Sequence, residues 1–205
     1  FNYRFNEISN FIKNIKKYKL GKLVYANISL SQGLAQKKIY KNNWRSNRNR
    51  CPKGVYELIS IHFVDMINYL FDVSVIEKPK LINLSKIGNS FDTSLVEIKI
   101  KNEGFVNIFS SYNTSYNKNF YFLFENGILE QQNNIIRLKG PTLNLDQRGF
   151  FKTPKVIKTV KVNNRNDYSD SLFESVSFFL NQAKKKKIFN KKITEISLKS
   201  NLLIL

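Results

Sequence analysis

This sequence predicts an α+β fold: a large, mostly antiparallel open sheet with helices packed on one face. Three observations carry that prediction. Alternating apolar residues mark a series of strands after Asp72, joined by links too short to hold helices. Helical periodicity is confined to segments before and after that series. Asn126–Gly127 stands between two alternating runs, which signals a hairpin and therefore an antiparallel neighbour. Strands grouped together, rather than alternating with helices, exclude a doubly wound parallel sheet.

The elements follow in order. Phe1–Phe5 reads as the end of a strand entering a turn. Asn6 is placed to cap a helix reaching about Tyr18, with Ile8, Phe11, Ile12 and Ile15 as its apolar stripe. Gly21 ends that unit. Lys22–Leu30 is a half-buried strand: Val24, Ala26, Ile28 and Leu30 point one way, and Leu23, Tyr25, Asn27 and Ser29 the other. Ser31–Lys53 is polar and aromatic without a period, and a loop of that length inside a compact domain is usually functional or disordered.

Gly54–Phe71 reads as one amphipathic helix. Val55, Ile59, Phe63, Met66, Ile67 and Leu70 form its apolar stripe, and Leu58, His62, Asp65 and Tyr69 fall on a second stripe beside it. Strands are predicted over Ser74–Ser85, Ser94–Lys101, Phe105–Tyr112, Phe120–Glu125, Ile128–Gln132, Ile135–Lys139 and Lys155–Val162. Asp167–Lys184 returns to helix, with Leu172, Val176 and Phe179 on one face and Phe173 and Leu180 beside them. Ile193–Leu205 reads as a final helix. No repeat and no Gly/Ser/Pro linker divides the chain, so residues 1–205 form a single predicted domain.

Composition narrows the function. The formal charge is +19, from 34 Lys and Arg against 15 Asp and Glu. Such a charge ordinarily points to nucleic acid or an acidic membrane. Here Asn, Ile, Phe and Tyr are abundant as well, a set that shares AT-rich codons with Lys, so codon bias accounts for the charge. The cations are dispersed apart from Lys184–Lys187, and neither nucleic acid nor membrane is expected as a partner. No apolar run approaches the ~18 residues of a membrane span. A single cysteine, Cys51, permits no intrachain disulfide, which fits a cytoplasmic protein.

No two of the eight glycines lie within three residues of each other, which excludes GxGxxG and Walker loops. One Cys and one His exclude a zinc cluster, and no metal is expected. No serine sits in a GxSxG elbow. The remaining candidate is His62, the only histidine, at mid-helix behind the aromatic–basic Asn43–Trp44–Arg45 loop. It reads either as a proton carrier or as a satisfied, half-buried core residue.

FNYRF, a helix, GKLVYANISLSQGLA, the NWR loop and GVYELISIHFVDMINYLFD stand in an order that resembles the C-terminal domain of the Gfo/Idh/MocA oxidoreductases. The resemblance implies the substrate domain of an NAD(P)-dependent enzyme. An N-terminal Rossmann domain, absent here, would hold most of the NAD or NADP. It also implies a small sugar-type substrate, sugar nucleotide or polyol, and a homo-oligomer formed through the open sheet face. Phe105 and Phe109 on one side of their strand, and Val106 and Ile108 on the other, put apolar residues on both faces. Alone, the chain would not catalyse.

The family helix commonly bears an Asp four residues before its His. That position is Leu58 here, with Glu57 beside it but pointing about 100° away. Either His62 acts alone or Glu57 substitutes for the Asp. The resemblance further implies Trp44 stacking on a sugar, Arg45 holding a carboxylate or phosphate, and Arg4 facing the cleft. Trp44 could equally anchor the loop, and Arg4 cap a turn. The family's Glu-Lys-Pro motif precedes FNxRF, so Glu77–Lys78–Pro79, which follows the helix, is a coincidence. A non-catalytic sugar-binding or oligomerisation module is the alternative, and Leu58 favours it.

Overall fold

The computed structural model describes residues 1–141, 145–184 and 191–202. Nine strands among the described residues form one sheet. They are β1 (Leu23–Ser31), β2 (Val73–Ile76), β3 (Lys80–Ile82), β4 (Thr93–Ile100), β5 (Phe105–Ser111), β6 (Asn117–Phe124), β7 (Gly127–Gln132), β8 (Ile135–Lys139) and β9 (Val156–Lys161). Their order is β2-β4-β5-β1-β6-β7-β8-β9, with β3 also paired to β4. Every pair is antiparallel except β1 with β5. A parallel pair needs a long crossover, and the 73 residues from Gln32 to Gly104 supply it. The four helices are α1 (Glu7–Lys13), α2 (Ile61–Leu70), α3 (Asn164–Lys184) and α4 (Lys191–Leu202).

The alternation in the strands sets the covered face. Ala26, Ile28, Val96, Ile98, Val106, Ile108, Phe120, Phe122, Leu129 and Leu138 are all buried. Helix α2 lies over this face, with the Phe63 ring edge-on to Phe120 at 5.6 Å. Ile8, Phe11 and Ile12 of α1 join the same core.

Several predicted boundaries shift for identifiable reasons. Phe1–Phe5 is not a strand end, because Asn2–Phe5 closes a 3₁₀ turn. The Asn6 carboxamide caps α1 by accepting the Ser9 N–H at 3.0 Å, but α1 stops at Lys13 and Ile15–Tyr18 continues as a 3₁₀ turn. The predicted strand Ser74–Ser85 breaks into β2 and β3 around Glu77–Lys78–Pro79, since proline has no N–H for the ladder. β7 begins one residue earlier than expected, at Gly127, where a Cβ would lie 2.5 Å from the Lys139 carbonyl oxygen.

The predicted helix over 54–71 begins differently too. Gly54 sits at φ +56°, where a Cβ would overlap the Phe91 carbonyl, and the Val55 N–H bonds that carbonyl at 2.9 Å. Tyr56–Ser60 then winds as a π-helical turn before α2 proper. This turn buries Ser60, whose hydroxyl meets the Ser94 hydroxyl at 2.8 Å.

Helix α3 departs most from expectation. It rests on the N-terminal turn, with Asn2 Nδ2 donating to Ser171 Oγ at 2.9 Å and the Phe5 and Phe178 rings 5.6 Å apart. The face predicted to be apolar and packed is open instead: Phe173 is 70% exposed and Val176 57% exposed. Helix α4 covers α2 through Asn68 Nδ2 to Ser200 Oγ at 3.1 Å. Residues 203–205 of the predicted last helix, and Lys185–Lys187 of the lysine run, lie outside the described residues.

These layers meet at one buried ion pair. Arg4 donates from Nε to Asp65 Oδ2 and from Nη2 to Asp65 Oδ1, each at 2.6 Å, and Nη2 also reaches Ser197 Oγ of α4 at 2.8 Å. Burial pushes the Asp65 carboxyl above its usual range, and the Arg4 bonds pull it back. Removing one partner strands the other charge in the core. Asp65→Ala should therefore cost about 3–5 kcal/mol, while Arg4→Met with Asp65→Leu should cost less than either single variant. Urea unfolding midpoints of the three variants check this.

Candidate functional site

A cavity of about 320 Å³ opens where the N-terminal turn, the end of β1, the π-turn and α2, the start of β6 and the start of α3 converge. Leu30, Leu58, Ile59 and Phe63 give it an apolar floor. Its polar groups come from Gln32, His62, Lys118, Tyr3, Tyr116 and Tyr168. An apolar pocket with a few converging polar groups is the ordinary form of a small-molecule site.

His62 is half-buried, the second residue of α2, directly after the π-helical turn. The Phe1 ring meets it edge-on at 5.8 Å, and the Tyr3 ring lies 6.1 Å away. Its Nδ1 is buried without a hydrogen-bond partner among the described residues. Burial lowers the imidazole pKa. The ring is thus neutral at pH 7 and able to take up a proton.

Lys118 stands on the inward face of β6, two residues before Phe120. Its ammonium is buried and pairs with Asp167 Oδ2 at 3.2 Å. Asp167 Oδ1 also accepts the Glu7 N–H at 2.9 Å, so this carboxylate ties α3 to α1 and the sheet together. The Lys118 ammonium lies 6.0 Å from the Tyr3 ring centre. Burial, and then the neighbouring Tyr116, Asp167 and Tyr168, hold the Tyr3 phenol well above its ordinary range. Tyr3 remains a neutral donor at any working pH.

The sequence-derived candidates divide between this cavity and its surroundings. His62 lines the cavity, and Leu58, at the position where the family commonly has Asp, forms part of its wall. Arg4 is committed to Asp65 and lines a neighbouring cavity, also of about 320 Å³, with Phe1, Phe5 and Tyr69. Trp44, Arg45 and Glu57 do not line the His62 cavity either. The Arg45 guanidinium stacks 4.5 Å above the Trp44 ring, and the indole is 41% exposed, so it does not anchor the loop from within the core. Glu57 accepts the Lys53 N–H at 3.4 Å and stands beside the Cys51 thiol. Burial, and then Glu57, push that thiol up to about 12, so it stays protonated and unreactive.

Lys118, Tyr3 and Asp167 escaped the reading of the sequence. For Lys118 a signal existed: extending the Phe120–Phe122–Phe124 alternation two residues back puts Lys118 on the buried face. Nothing local marks Tyr3 or Asp167. Among the described residues, no group of three or more His, Cys, Asp or Glu side chains could hold a metal ion. No described helix is long and apolar enough to cross a membrane.

Comparison with known proteins places this geometry. Residues 12–172 match the model of the Gfo/Idh/MocA oxidoreductase family, C-terminal alpha/beta domain. A levoglucosan dehydrogenase in complex with NADH and levoglucosan superposes with a TM-score of 0.74 at 13% identity, over 99% of this chain and 61% of that one. An oxidoreductase from Agrobacterium radiobacter in complex with NAD+, L-tartaric acid and magnesium gives 0.72 at 12% identity, over 99% and 59%. An oxidoreductase from Thermotoga maritima gives 0.70 at 16% identity, over 99% and 56%. The chain thus spans about three-fifths of their length, and at these identities the likeness is one of fold. No curated protein matches the sequence.

The lowered His62 pKa has a consequence for stability. In the unfolded chain the imidazole titrates near 6.5, and in the folded chain below that. Between the two values the unfolded state binds more protons, so stability is fully present above about 6.5 and is lost as pH falls toward the folded value. The wild type should lose more stability than His62→Gln between about pH 8 and 5.5, because no other histidine titrates there. Urea midpoints measured across that range test it, and parallel curves for the two proteins would contradict it.

Proposed function

We propose, on the premise that this chain belongs to the Gfo/Idh/MocA oxidoreductase family through its C-terminal alpha/beta domain, that it is the substrate side of an NAD(P)-dependent oxidoreductase acting on a sugar, sugar nucleotide or related polyol. The observation that carries the reading is the cavity itself. It brings a neutral imidazole, a buried ammonium and a phenol donor together over an apolar floor. The bound ligands named for two of the similar structures, levoglucosan and tartaric acid, are polyhydroxylated.

The chain's own residues do not make a dinucleotide cradle, because its glycines are too far apart to form the turn that admits a pyrophosphate. We assign NAD or NADP mainly to a preceding domain. The open apolar face of α3, with Phe173, Val176 and Phe179, offers such a domain a surface to cover. When bound, the nicotinamide supplies the hydride acceptor or donor. This chain alone is therefore inactive.

His62 accepts the proton of the reacting substrate hydroxyl, and returns it in the reverse direction. Its lowered pKa keeps it unprotonated and ready for that step. Lys118, fixed by Asp167, sets positive charge where the substrate oxygen gains electron density. Tyr3 orients a hydroxyl by donating its phenolic proton. Leu58 contributes no charge, so His62 works here without the family's carboxylate four residues before it, and Glu57 bonds to its own loop instead. That same leucine favours a second reading, a sugar-binding or oligomerisation module without catalysis.

We further propose a cytoplasmic homo-oligomer that pairs through the uncovered sheet face, where Leu95 and Phe105 are exposed among Glu97 and Lys99. Phe105→Glu should then shift the protein toward monomer in sedimentation equilibrium, and an unchanged mass distribution would count against the interface. In the full-length enzyme His62→Ala should lower kcat by about 10²–10⁴-fold and leave KM nearly unchanged, as loss of proton transfer requires. Steady-state kinetics with NAD+ and NADP+ decide this: unchanged turnover would give the proton step to another group, and no turnover in the full-length wild type would leave the module reading standing.

A further inference from the structure

The His62 cavity carries no net charge that a substrate could answer. Among the described residues that line it there is no Asp, Glu or Arg, and Lys118 is the one cation. That ammonium is paired with Asp167 at 3.2 Å, and both side chains are nearly closed to solvent. The Tyr3 phenol and the imidazole are uncharged at neutral pH, because burial disfavours the charged form of each. Arg4, next to Tyr3 in the chain, is held by Asp65, and none of the cations between Ser31 and Tyr56 lines the cavity. An anionic group entering here would lose its water and would have to displace Asp167 from Lys118 to find a counter-charge.

Hydrogen-bonding groups are also unevenly placed around the cavity. Leu58, Ile59 and Phe63 come from the same helical stretch as His62, and Leu30 comes from β1. This part of the lining offers a ligand no side-chain donor or acceptor. Position 58, where the family commonly has a carboxylate, is a leucine. A substrate hydroxyl turned toward the floor leaves water and finds no partner, whereas a methyl or methylene there gains by burial. Partners for the other hydroxyls stand on Gln32, Lys118 and the tyrosines. Tyr116 and Tyr168 line the cavity yet are 59% and 51% exposed, so their rings stand at its mouth, where they can lie against a sugar ring. A volume of about 320 Å³ is at the small end of the roughly 300–1,000 Å³ of ligand pockets, and suits one sugar ring better than a sugar with a nucleotide attached.

We infer that the cavity takes an uncharged deoxy sugar: a single ring without carboxylate or phosphate, which lays a carbon lacking its hydroxyl on the floor around Leu58. This rests on the reading of the His62 cavity as a substrate site and narrows it, setting aside sugar acids, sugar phosphates and sugar nucleotides. His62 serves the reacting hydroxyl, Tyr116 and Tyr168 bracket the ring, and Leu58 selects against the fully hydroxylated parent.

His62 is the single histidine, so ¹³C-histidine labelling of the untagged chain gives one imidazole signal, which reads occupancy of the cavity. The probes are glucose, 2-deoxyglucose, 6-deoxyglucose, glucuronate and glucose 6-phosphate. The expected result is that one of the deoxy sugars saturates the imidazole shift at concentrations at least about fivefold below glucose, as one unpaired buried hydroxyl implies, and glucose at least about tenfold below both anions. Leu58→Asn should reverse the preference between glucose and that deoxy sugar. Asp167→Asn, which takes the carboxylate away from Lys118, should make glucuronate or glucose 6-phosphate bind more tightly than glucose. Both are ratios between ligands on one protein, so loss of folded material cannot produce them. Binding of glucose as tight as that of both deoxy sugars overturns the inference, as does tighter binding of either anion by the wild type or an unchanged preference in Leu58→Asn. An imidazole that no probe moves overturns it together with the reading of the cavity as a substrate site. A full-length protein that binds these sugars in the expected order without oxidising any of them removes the oxidoreductase reading and leaves this inference standing.

Discussion

The Arg4–Asp65 pair is the contact on which the arrangement of the helices depends. It joins the N-terminal turn to the middle of α2, and its third donor bond reaches α4. The surroundings are built to keep it. The Arg4 guanidinium lies 5.0 Å from the Tyr69 ring centre, and the Lys13 ammonium donates to the Arg4 carbonyl at 2.6 Å. A buried pair of this kind adds little net stability against apolar residues of the same shape, but it admits one relative placement of its elements. Here that placement brings Tyr3 and Asn2, the immediate neighbours of Arg4, to the His62 cavity.

Asp167 plays the corresponding part on the far side of the cavity. Its two oxygens serve different elements, one the backbone of α1 and the other the ammonium of Lys118. The cavity thus has one member of a buried ion pair, Lys118, in its wall, and the titratable His62 in the same wall is neutral. The low polarity that depresses the His62 pKa also strengthens the field of Lys118 on anything bound there. A proton acceptor and a fixed positive charge can then share a small volume, because each has its own support.

The sheet accounts for what is covered and what is left open. Its inner face is closed by α1, α2 and the residues that follow them, while the outer face mixes Leu95 and Phe105 with charged neighbours. Helix α3 is amphipathic by sequence yet turns much of its apolar face outward. The protein therefore presents two apolar surfaces of different character, one flat and sheet-like and one a helix ridge next to the N-terminal turn. Surfaces of these kinds suit a second copy and a second domain respectively.

The sequence by itself determined the class of fold, most of the run of strands and the inward and outward faces of β4 to β8, because a period of two reports which side chains meet water; in β1 the irregularity between Leu23 and Tyr25 breaks that period, so Leu23 is buried and Val24 exposed, the reverse of the alternation. It also singled out His62, since one histidine in one amphipathic helix is conspicuous. It did not determine which polar groups surround that histidine. Lys118, Asp167 and Tyr3 are far apart along the chain and meet only when β6, α3 and the N-terminal turn are assembled. Arg4 was legible as a charged residue in a short motif, but its partner lies 61 residues away, and that distant pairing, not the motif, draws it away from the cavity. The exposure of the α3 apolar face could not be read from periodicity either, because amphipathicity says that a face seeks cover and only the tertiary structure shows whether this chain provides it.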